Sequence, residues 1–159
     1  MRVLVTGAGG FLGRHVLRCL ARHHIDAVAI GRRRPAEMPE SHFVRIDLLA
    51  RPDLARPLEK LGATHLLHLA WETEHGRFWQ AASNFDWVDA SVRLVQAFGR
   101  AGGRHVVAAG SCAEYDWSHG LCREHSTPLA PSSTYGTAKD AARRLLMAMG
   151  EDAGLSVAW

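Results

Sequence analysis

The sequence predicts an α/β fold in which helices cover both faces of a doubly wound parallel sheet. Short apolar runs rich in β-branched residues alternate along the chain with longer helical patterns. Such alternation joins parallel strands through right-handed crossovers. The chain has 159 residues, 47% of them hydrophobic and 22% charged, which is ordinary for one soluble globular domain. We therefore expect a single domain over residues 1–159.

The N-terminal stretch combines a strand, a glycine-rich turn and the start of a helix. Residues 1–5 are largely apolar, as in a strand buried on both faces, and Gly7, Gly10 and Gly13 follow. A side chain at Gly7 or Gly10 would keep the backbone away from a pyrophosphate, and one at Gly13 would push the helix off the strand. Since helix N-termini attract phosphates, the stretch predicts dinucleotide binding. A tight turn without a ligand is the alternative.

Turn signals divide the rest of the chain into further elements. Strands are predicted at residues 25–30, 42–48, 64–71, 105–109 and 155–159. A short helix follows the third strand, with Pro52 and Asp53 suited to its first turn. Residues 72–82 form a loop, and Ser83 with Asp86 resembles a capping box that opens a helix to about residue 100. The last helix spans residues 133 to about 150.

The helix at residues 83–100 is apolar on two sides, so we expect two packing partners for it. The sheet is one partner, and a second subunit is the other. The two apolar stripes are Phe85, Val88, Val92 and Val95, and Trp87, Leu94 and Phe98.

The chain stops inside the predicted sixth strand, from Leu155 to Trp159. A folded domain seldom ends within a strand at the edge of its sheet. We therefore expect a piece of a longer enzyme, without the part that shapes the substrate pocket. Such a piece could bind its cofactor weakly and turn nothing over.

Composition argues against several other classes of protein. The net charge of +3 is too mild and scattered to predict nucleic-acid binding. No apolar stretch has membrane-spanning length and no secretory segment is present, so we expect no membrane partner and a cytoplasmic location. The three cysteines cannot all pair within the chain and have no metal-ligand spacing. His65 and His68 lie on opposite sides of one strand, so we predict no metal site.

Three polar side chains are expected at the carboxyl ends of strands, where open α/β sheets bind ligands. Ser111 follows the fifth strand, and Tyr135 and Lys139 share one face of the last helix because they are four residues apart. A neighbouring ammonium favours the phenolate form of a tyrosine. Tyr135 could then take a proton from a substrate hydroxyl while hydride leaves for a nicotinamide, and Ser111 would hold the same oxygen. A chance pair on a helix surface is the alternative.

These residues resemble the extended short-chain dehydrogenase/reductase family, the epimerases, dehydratases and reductases of nucleotide sugars. The resemblance covers nearly the whole chain, in the family's order, and implies a Rossmann fold. The matching residues are Thr6 to Gly13, Asp47-Leu48, His68-Leu69-Ala70, Ser111, Tyr135 and Lys139.

The resemblance implies the roles of these residues. Asp47 and Leu48 would flank the adenine, and Ala70 would lie beside a ribose. A homodimer would form through the helices near residues 84–100 and 133–150. The expected cofactor-binding residues are Gly7, Gly10, Phe11, Leu12, Gly13, Arg32, Arg33, Asp47, Leu48, Leu69, Ala70, Tyr135 and Lys139.

The end of the second strand bears on the choice of cofactor. A carboxylate there would accept from the adenosine ribose and select NAD. This chain has Arg32, Arg33 and Arg34 instead, which favour the 2′-phosphate of NADP. We predict NADP, with NAD possible; a solvated basic loop is the alternative.

The residues after Ser111 narrow the reaction. Family 4,6-dehydratases have an Asp-Glu pair there, whereas this chain has Cys112 and Ala113, and Glu114 should point to the other side. We therefore predict a keto-reductase or epimerase for a nucleotide-linked sugar, with Ser111, Tyr135 and Lys139 as catalytic residues. The alternative is a cofactor-binding sensor without catalysis. Trp71 either walls the nicotinamide or packs, and Glu124 either touches substrate or is solvated.

Overall fold

The computed structural model describes residues 1–36 and 38–159, and in them one parallel sheet of six strands carries the fold. The strand order is β3-β2-β1-β4-β5-β6, and every pairing within it is parallel. This order confirms the predicted doubly wound sheet. The strands are β1 Arg2–Thr6, β2 Asp26–Gly31, β3 Phe43–Arg45, β4 His65–His68, β5 His105–Ala108 and β6 Ser156–Ala158.

Helices cover both faces of the sheet, because alternate strand residues point to opposite faces. The helices are α1 Phe11–Arg22, α2 Ala55–Leu61, α3 Ser83–Arg100 and α4 Thr134–Ala153. On one face Val3 and Val5 pack with Leu17 and Leu20 of α1. On the other face the core contains strand residues together with side chains of α2, α3 and α4. In the part of the chain described, no helix is long and apolar enough to span a membrane.

β3 and β4 end well before the residues that the sequence predicts, because side chains capture the backbone there. β3 ends at Arg45, and the carboxylate of Asp47 accepts a hydrogen bond from the amide of Leu49 at the start of a 3-10 turn. β4 ends at His68, after which the amides of Leu69 and Ala70 donate to the hydroxyl oxygen of Thr6. The predicted strand at 64–71 therefore turns into the loop that borders the site.

The predicted helix starts also need correction. No side chain caps α3, so the expected capping box of Ser83 and Asp86 is wrong. The amide nitrogen of the Asn84 side chain instead donates to the carbonyl oxygens of Phe78 and Ala81. These two hydrogen bonds hold the turn that precedes the helix. Helix α2 begins at Ala55, after the residues predicted for its first turn.

The two-sided helix α3 finds both of its main partners within the chain. It packs on the sheet and also contacts α4, and Trp87, Leu94, Val95 and Phe98 are buried. Phe85, at the start of the other stripe, is 62% exposed. Helix α4 thus supplies part of the contact that the sequence assigned to a second subunit.

Candidate functional site

The glycine turn between β1 and α1 forms the floor of a cleft at the carboxyl edge of the sheet. Gly7 has φ +68°, and a Cβ on it would lie 2.7 Å from backbone atoms of Leu69 and Ala70. A Cβ on Gly13 would lie 2.2 Å from the carbonyl oxygen of Gly7. The helix therefore needs Gly13 for close packing, as predicted. Gly7 is required because the loop after β4 packs directly against it, whereas the sequence analysis assigned this glycine to the approach of a pyrophosphate.

Above this turn the cleft has a volume of about 510 Å³ at the carboxyl ends of β1, β2 and β4. No side chain caps the N-terminus of α1. The first amides of the helix therefore remain available to a ligand in the cleft. The structure brings ten of the predicted cofactor-binding residues together here. They are Gly7, Gly10, Phe11, Leu12, Gly13, Arg32, Asp47, Leu48, Leu69 and Ala70.

Basic side chains surround the recess that adjoins the cleft at the end of β2. Arg33 lies here rather than in the cleft itself, together with Arg32 and Arg34. Arg14 of α1 borders the same recess. The three consecutive arginines are all exposed, and the guanidinium of Arg34 donates to the carbonyl oxygen of Met38. The end of β2 thus presents positive charge next to the glycine turn.

Lys139 of α4 is buried beside the cleft, with 4% of its surface exposed. Its ammonium donates to the carbonyl oxygen of Ala109 and lies 4.2 Å from the centre of the Trp71 ring. On another side it lies 4.8 Å from the Trp159 ring. Burial lowers the pKa of Lys139 to about 8, and the carboxylate of Glu114 opposes this change.

Tyr135 lies one turn before Lys139 among aromatic side chains. Its ring meets those of Phe78, Trp79 and Trp71 edge-on, at centre distances of 4.8, 5.7 and 6.5 Å. Neither Tyr135 nor Lys139 is among the residues that line the cleft, whereas Trp71 lines it and contacts both. Trp71 therefore separates the predicted catalytic pair from the predicted cofactor site.

Ser111 borders a third cavity, of about 780 Å³, on the far side of β5 from the cleft. Its hydroxyl oxygen accepts a hydrogen bond from the amide of Ala113 and so caps a short 3-10 turn. Helix α4 approaches this turn closely, since a Cβ on Gly136 would lie 2.3 Å from the carbonyl oxygen of Ala113. Exposed Glu124 lines the same cavity. The structure thus places Ser111 near α4 but outside the cofactor cleft.

Glu114 is a buried carboxylate that the sequence analysis left without a role. It completes a capping box with Ser111, because its Oε1 accepts from the Ser111 amide at 2.6 Å. Burial raises the pKa of Glu114, against hydrogen bonds from Ser111 and Trp159. The spacing Ser111-x-x-Glu114 is the capping-box signature, and it was the signal that could have identified this contact.

Comparisons with known proteins place the chain in a family. A model of the NAD dependent epimerase/dehydratase family matches residues 3–159. The chain is 27% identical over 153 residues to the dTDP-6-deoxy-L-talose 4-dehydrogenase (NAD(+)) of Aggregatibacter actinomycetemcomitans, covering 92% of this chain and 54% of that enzyme.

Two solved structures have the same fold over 99% of this chain. The structure of MoeE5 in complex with UDP-glucose and NAD is 32% identical, with a TM-score of 0.78, and 52% of it is covered. The UDP-glucose 4-epimerase of Thermus thermophilus in complex with NAD is 24% identical, with a TM-score of 0.82, and 53% of it is covered. The chain therefore spans about half the length of these relatives.

Proposed function

Because the chain belongs to the NAD-dependent epimerase/dehydratase family, we propose that it is the dinucleotide-binding part of an oxidoreductase or epimerase. The cleft at the N-terminus of α1 carries this proposal, since ten residues from four separate segments converge there. Its glycine floor leaves the first amides of α1 open to a pyrophosphate. The substrate in this proposal is a sugar linked to a nucleotide.

The residues present fit a nicotinamide dinucleotide. Gly7, Gly10 and Gly13 leave room for phosphates at the helix start, and exposed Asp47 is available to accept from an adenine amino group. The bound nicotinamide supplies the site for hydride exchange. In this proposal Tyr135 exchanges the proton of the sugar hydroxyl, and Lys139, one turn further along α4, is the neighbouring positive charge.

The relatives support the proposed substrate class. One relative is a dTDP-6-deoxy-L-talose 4-dehydrogenase, and MoeE5 is found in complex with UDP-glucose, so both relatives are associated with nucleotide-linked sugars. Cys112 and Ala113 stand where the family's 4,6-dehydratases have an acid and a base. We therefore favour keto-reduction or epimerisation over elimination of water, with Ser111 as the group that holds the reacting oxygen.

For the cofactor we favour NADP, although the named relatives use or bind NAD. The support is the cluster of Arg32 and Arg33 at the end of β2, where NAD-specific sites carry an acid. A guanidinium pairs well with the two charges of a 2′-phosphate.

We propose further that two copies of the chain associate through α3 and α4. Phe85 of α3 and Leu145 of α4 are 62% and 46% exposed, so each helix presents a large apolar side chain that a second copy could cover. Sedimentation at increasing concentration tests this, and Phe85→Asp should shift the protein toward the monomer. A wild type that stays monomeric would contradict it.

The replacement Tyr135→Phe tests the enzymatic proposal, assayed with UDP- and dTDP-linked 4-keto and 4-hydroxy sugars. We expect turnover to fall by a factor of about 100 or more while cofactor affinity changes little. A second candidate is a sensor that binds the cofactor without catalysis, favoured by the cover that Trp71 forms over Lys139. A sensor would show no turnover in the wild type, and Tyr135→Phe would leave its binding unchanged.

A further inference from the structure

The carboxylate of Glu114 joins three elements that surround the predicted catalytic residues. The Glu114 side chain is buried in the turn after β5, with 3% of the residue exposed. Besides the Ser111 amide, it accepts from the indole nitrogen of Trp159, 2.9 Å from Oε2. The guanidinium of Arg143 on α4 lies 3.8 Å from the same oxygen. The carboxylate therefore ties the Ser111 turn to α4 and to the end of β6.

The indole that Glu114 holds is also one wall around Lys139. The Trp159 ring lies 4.8 Å from the ammonium, and the Trp71 ring lies 4.2 Å from it. A carboxylate that accepts from an indole N–H makes the ring more electron-rich, which strengthens its attraction for a cation. Packing leaves little freedom here, since a Cβ on Gly110 would lie 2.6 Å from the indole nitrogen.

We propose that Glu114 is a positioning residue for the catalytic pair, holding Ser111 through its amide and Lys139 through the indole of Trp159. The inference rests on the proposed function for the roles of Ser111 and Lys139. It assigns Glu114 no proton transfer and no contact with substrate. One buried carboxylate thereby fixes both the hydroxyl and the ammonium on which the reaction depends.

Few charged or titratable groups face the Lys139 ammonium. Glu114 faces it from the turn after β5, and His68 of β4 interacts with it electrostatically. Tyr135 and Arg143 lie one turn away on its own helix. Glu114 is thus the one carboxylate among these groups, and it stabilises the charged form of the lysine.

The sequence offers an unusually direct measurement, because it contains two lysines, Lys60 and Lys139. Labelling lysine Cε with ¹³C gives two signals, and exposed Lys60 is the internal reference. In Glu114→Gln the side chain keeps its size and one acceptor but loses its charge. We expect the Lys139 titration to shift to lower pH by about half a unit or more, and the Ser111 amide proton to move upfield.

Two further variants make the test specific. Glu124→Gln makes the same change at an exposed position and should leave both signals in place. Trp159→Phe keeps a ring beside Lys139 but removes the donor to Glu114, and it should also lower the Lys139 titration. The double variant should shift it by less than the sum of the two single changes.

The outcomes separate the inference from the proposed function, since the measurement needs neither cofactor nor turnover. A folded Glu114→Gln protein with unchanged Lys139 and Ser111 signals would overturn the inference, and so would strictly additive shifts in the double variant. If Glu114→Gln does not fold, Trp159→Phe decides alone, and an unshifted Lys139 signal in that variant overturns the inference.

Discussion

The hydroxyl oxygen of Thr6 lies 2.7 Å from Nδ1 of His68, and both side chains are buried in the sheet. The other ring nitrogen of His68 lies 2.8 Å from the hydroxyl of Ser91, which donates to the carbonyl oxygen of Trp87. Since the Ser91 proton is directed at that carbonyl, His68 Nε2 must be the donor and Nδ1 the acceptor. This chain of hydrogen bonds fixes a neutral His68 between β1 and α3.

The neutral His68 predicts a pH-dependent stability. Burial lowers the pKa of His68 in the folded chain to about 3, whereas the same side chain in the unfolded chain has a pKa near 6.5. Between these two pH values His68 is protonated in the unfolded chain and neutral in the folded chain. The free energy of unfolding should therefore fall between pH 6.5 and pH 4, by up to about 1.4 kcal/mol per pH unit from this group. Urea unfolding at a series of pH values measures it.

The matched variants for that series are His68→Gln and His75→Gln. His68→Gln should lose about 2 kcal/mol or more at pH 7 and should show a flatter pH dependence below 6.5. His75 is exposed in the loop before α3, so its replacement should reproduce the wild-type curve. An unchanged slope in His68→Gln would refute the neutral assignment.

Replacing two neighbouring glycines of the turn by alanine should change the free energy of unfolding by different amounts. Gly7→Ala would force a positive φ and an overlap with the β4 loop, so we expect a loss of about 3 kcal/mol or more. A Cβ on Gly9 meets only Pro35, at 4.0 Å, so Gly9→Ala should change stability by less than about 1 kcal/mol. Thermal unfolding of the two variants compares them, and equal losses would contradict the packing described here.

The buried ammonium of Lys139 should destabilise the fold near neutral pH. The pKa of Lys139 is about 8 in the folded chain, below its ordinary value of 10.5. The charged ammonium therefore lowers the free energy of unfolding near pH 7, and this loss is recovered as the pH rises from 8 to 10.5. Lys139→Met should therefore be more stable than wild type at pH 7.5 by about 1 to 3 kcal/mol, and the difference should shrink at pH 9.5.

Lys60→Met is the control for that comparison, because Lys60 is exposed on α2 and should change stability by less than about 0.5 kcal/mol. Urea unfolding at both pH values provides the numbers. A Lys139→Met protein that is clearly less stable than wild type at pH 7.5 would mean that the ammonium contributes net stability.

The arginines at the end of β2 predict a selective loss of affinity. Replacing Arg32 and Arg33 together by Ala should weaken NADPH binding about 10- to 100-fold and NADH binding by no more than about threefold. Arg22→Ala, at the end of α1 away from the recess, controls for net charge. Isothermal titration distinguishes the cases, and equal losses for both nucleotides would argue for a solvated basic loop.

The sequence predicts most of the fold but few of the contacts around Tyr135 and Lys139. The glycine turn and the six strands follow from local periodicity, and so does the register of Tyr135 with Lys139 on one helix. The ends of β3 and β4 do not, because side chains rather than strand propensity capture the backbone there.

The two indole rings around the Lys139 ammonium could not be predicted from local sequence patterns either. Trp71 follows β4 and is far from α4 in the sequence, whereas Trp159 follows β6 shortly after α4 ends. Only tertiary packing brings both rings onto the ammonium. The alternatives left open for Trp71 turn out to be compatible, since it lines the cleft and also packs on Trp87.

Titration with NADPH and NADH, followed by tryptophan fluorescence, measures whether a dinucleotide binds in the cleft. Two of the five tryptophans, Trp71 and Trp87, line the cleft, whereas Trp117 lies exposed elsewhere. We predict a saturable change that is tighter for NADPH, is reduced in Trp71→Phe and is preserved in Trp117→Phe. If neither nucleotide produces a saturable change, or if Trp71→Phe leaves its amplitude intact, the dinucleotide does not bind where this account places it.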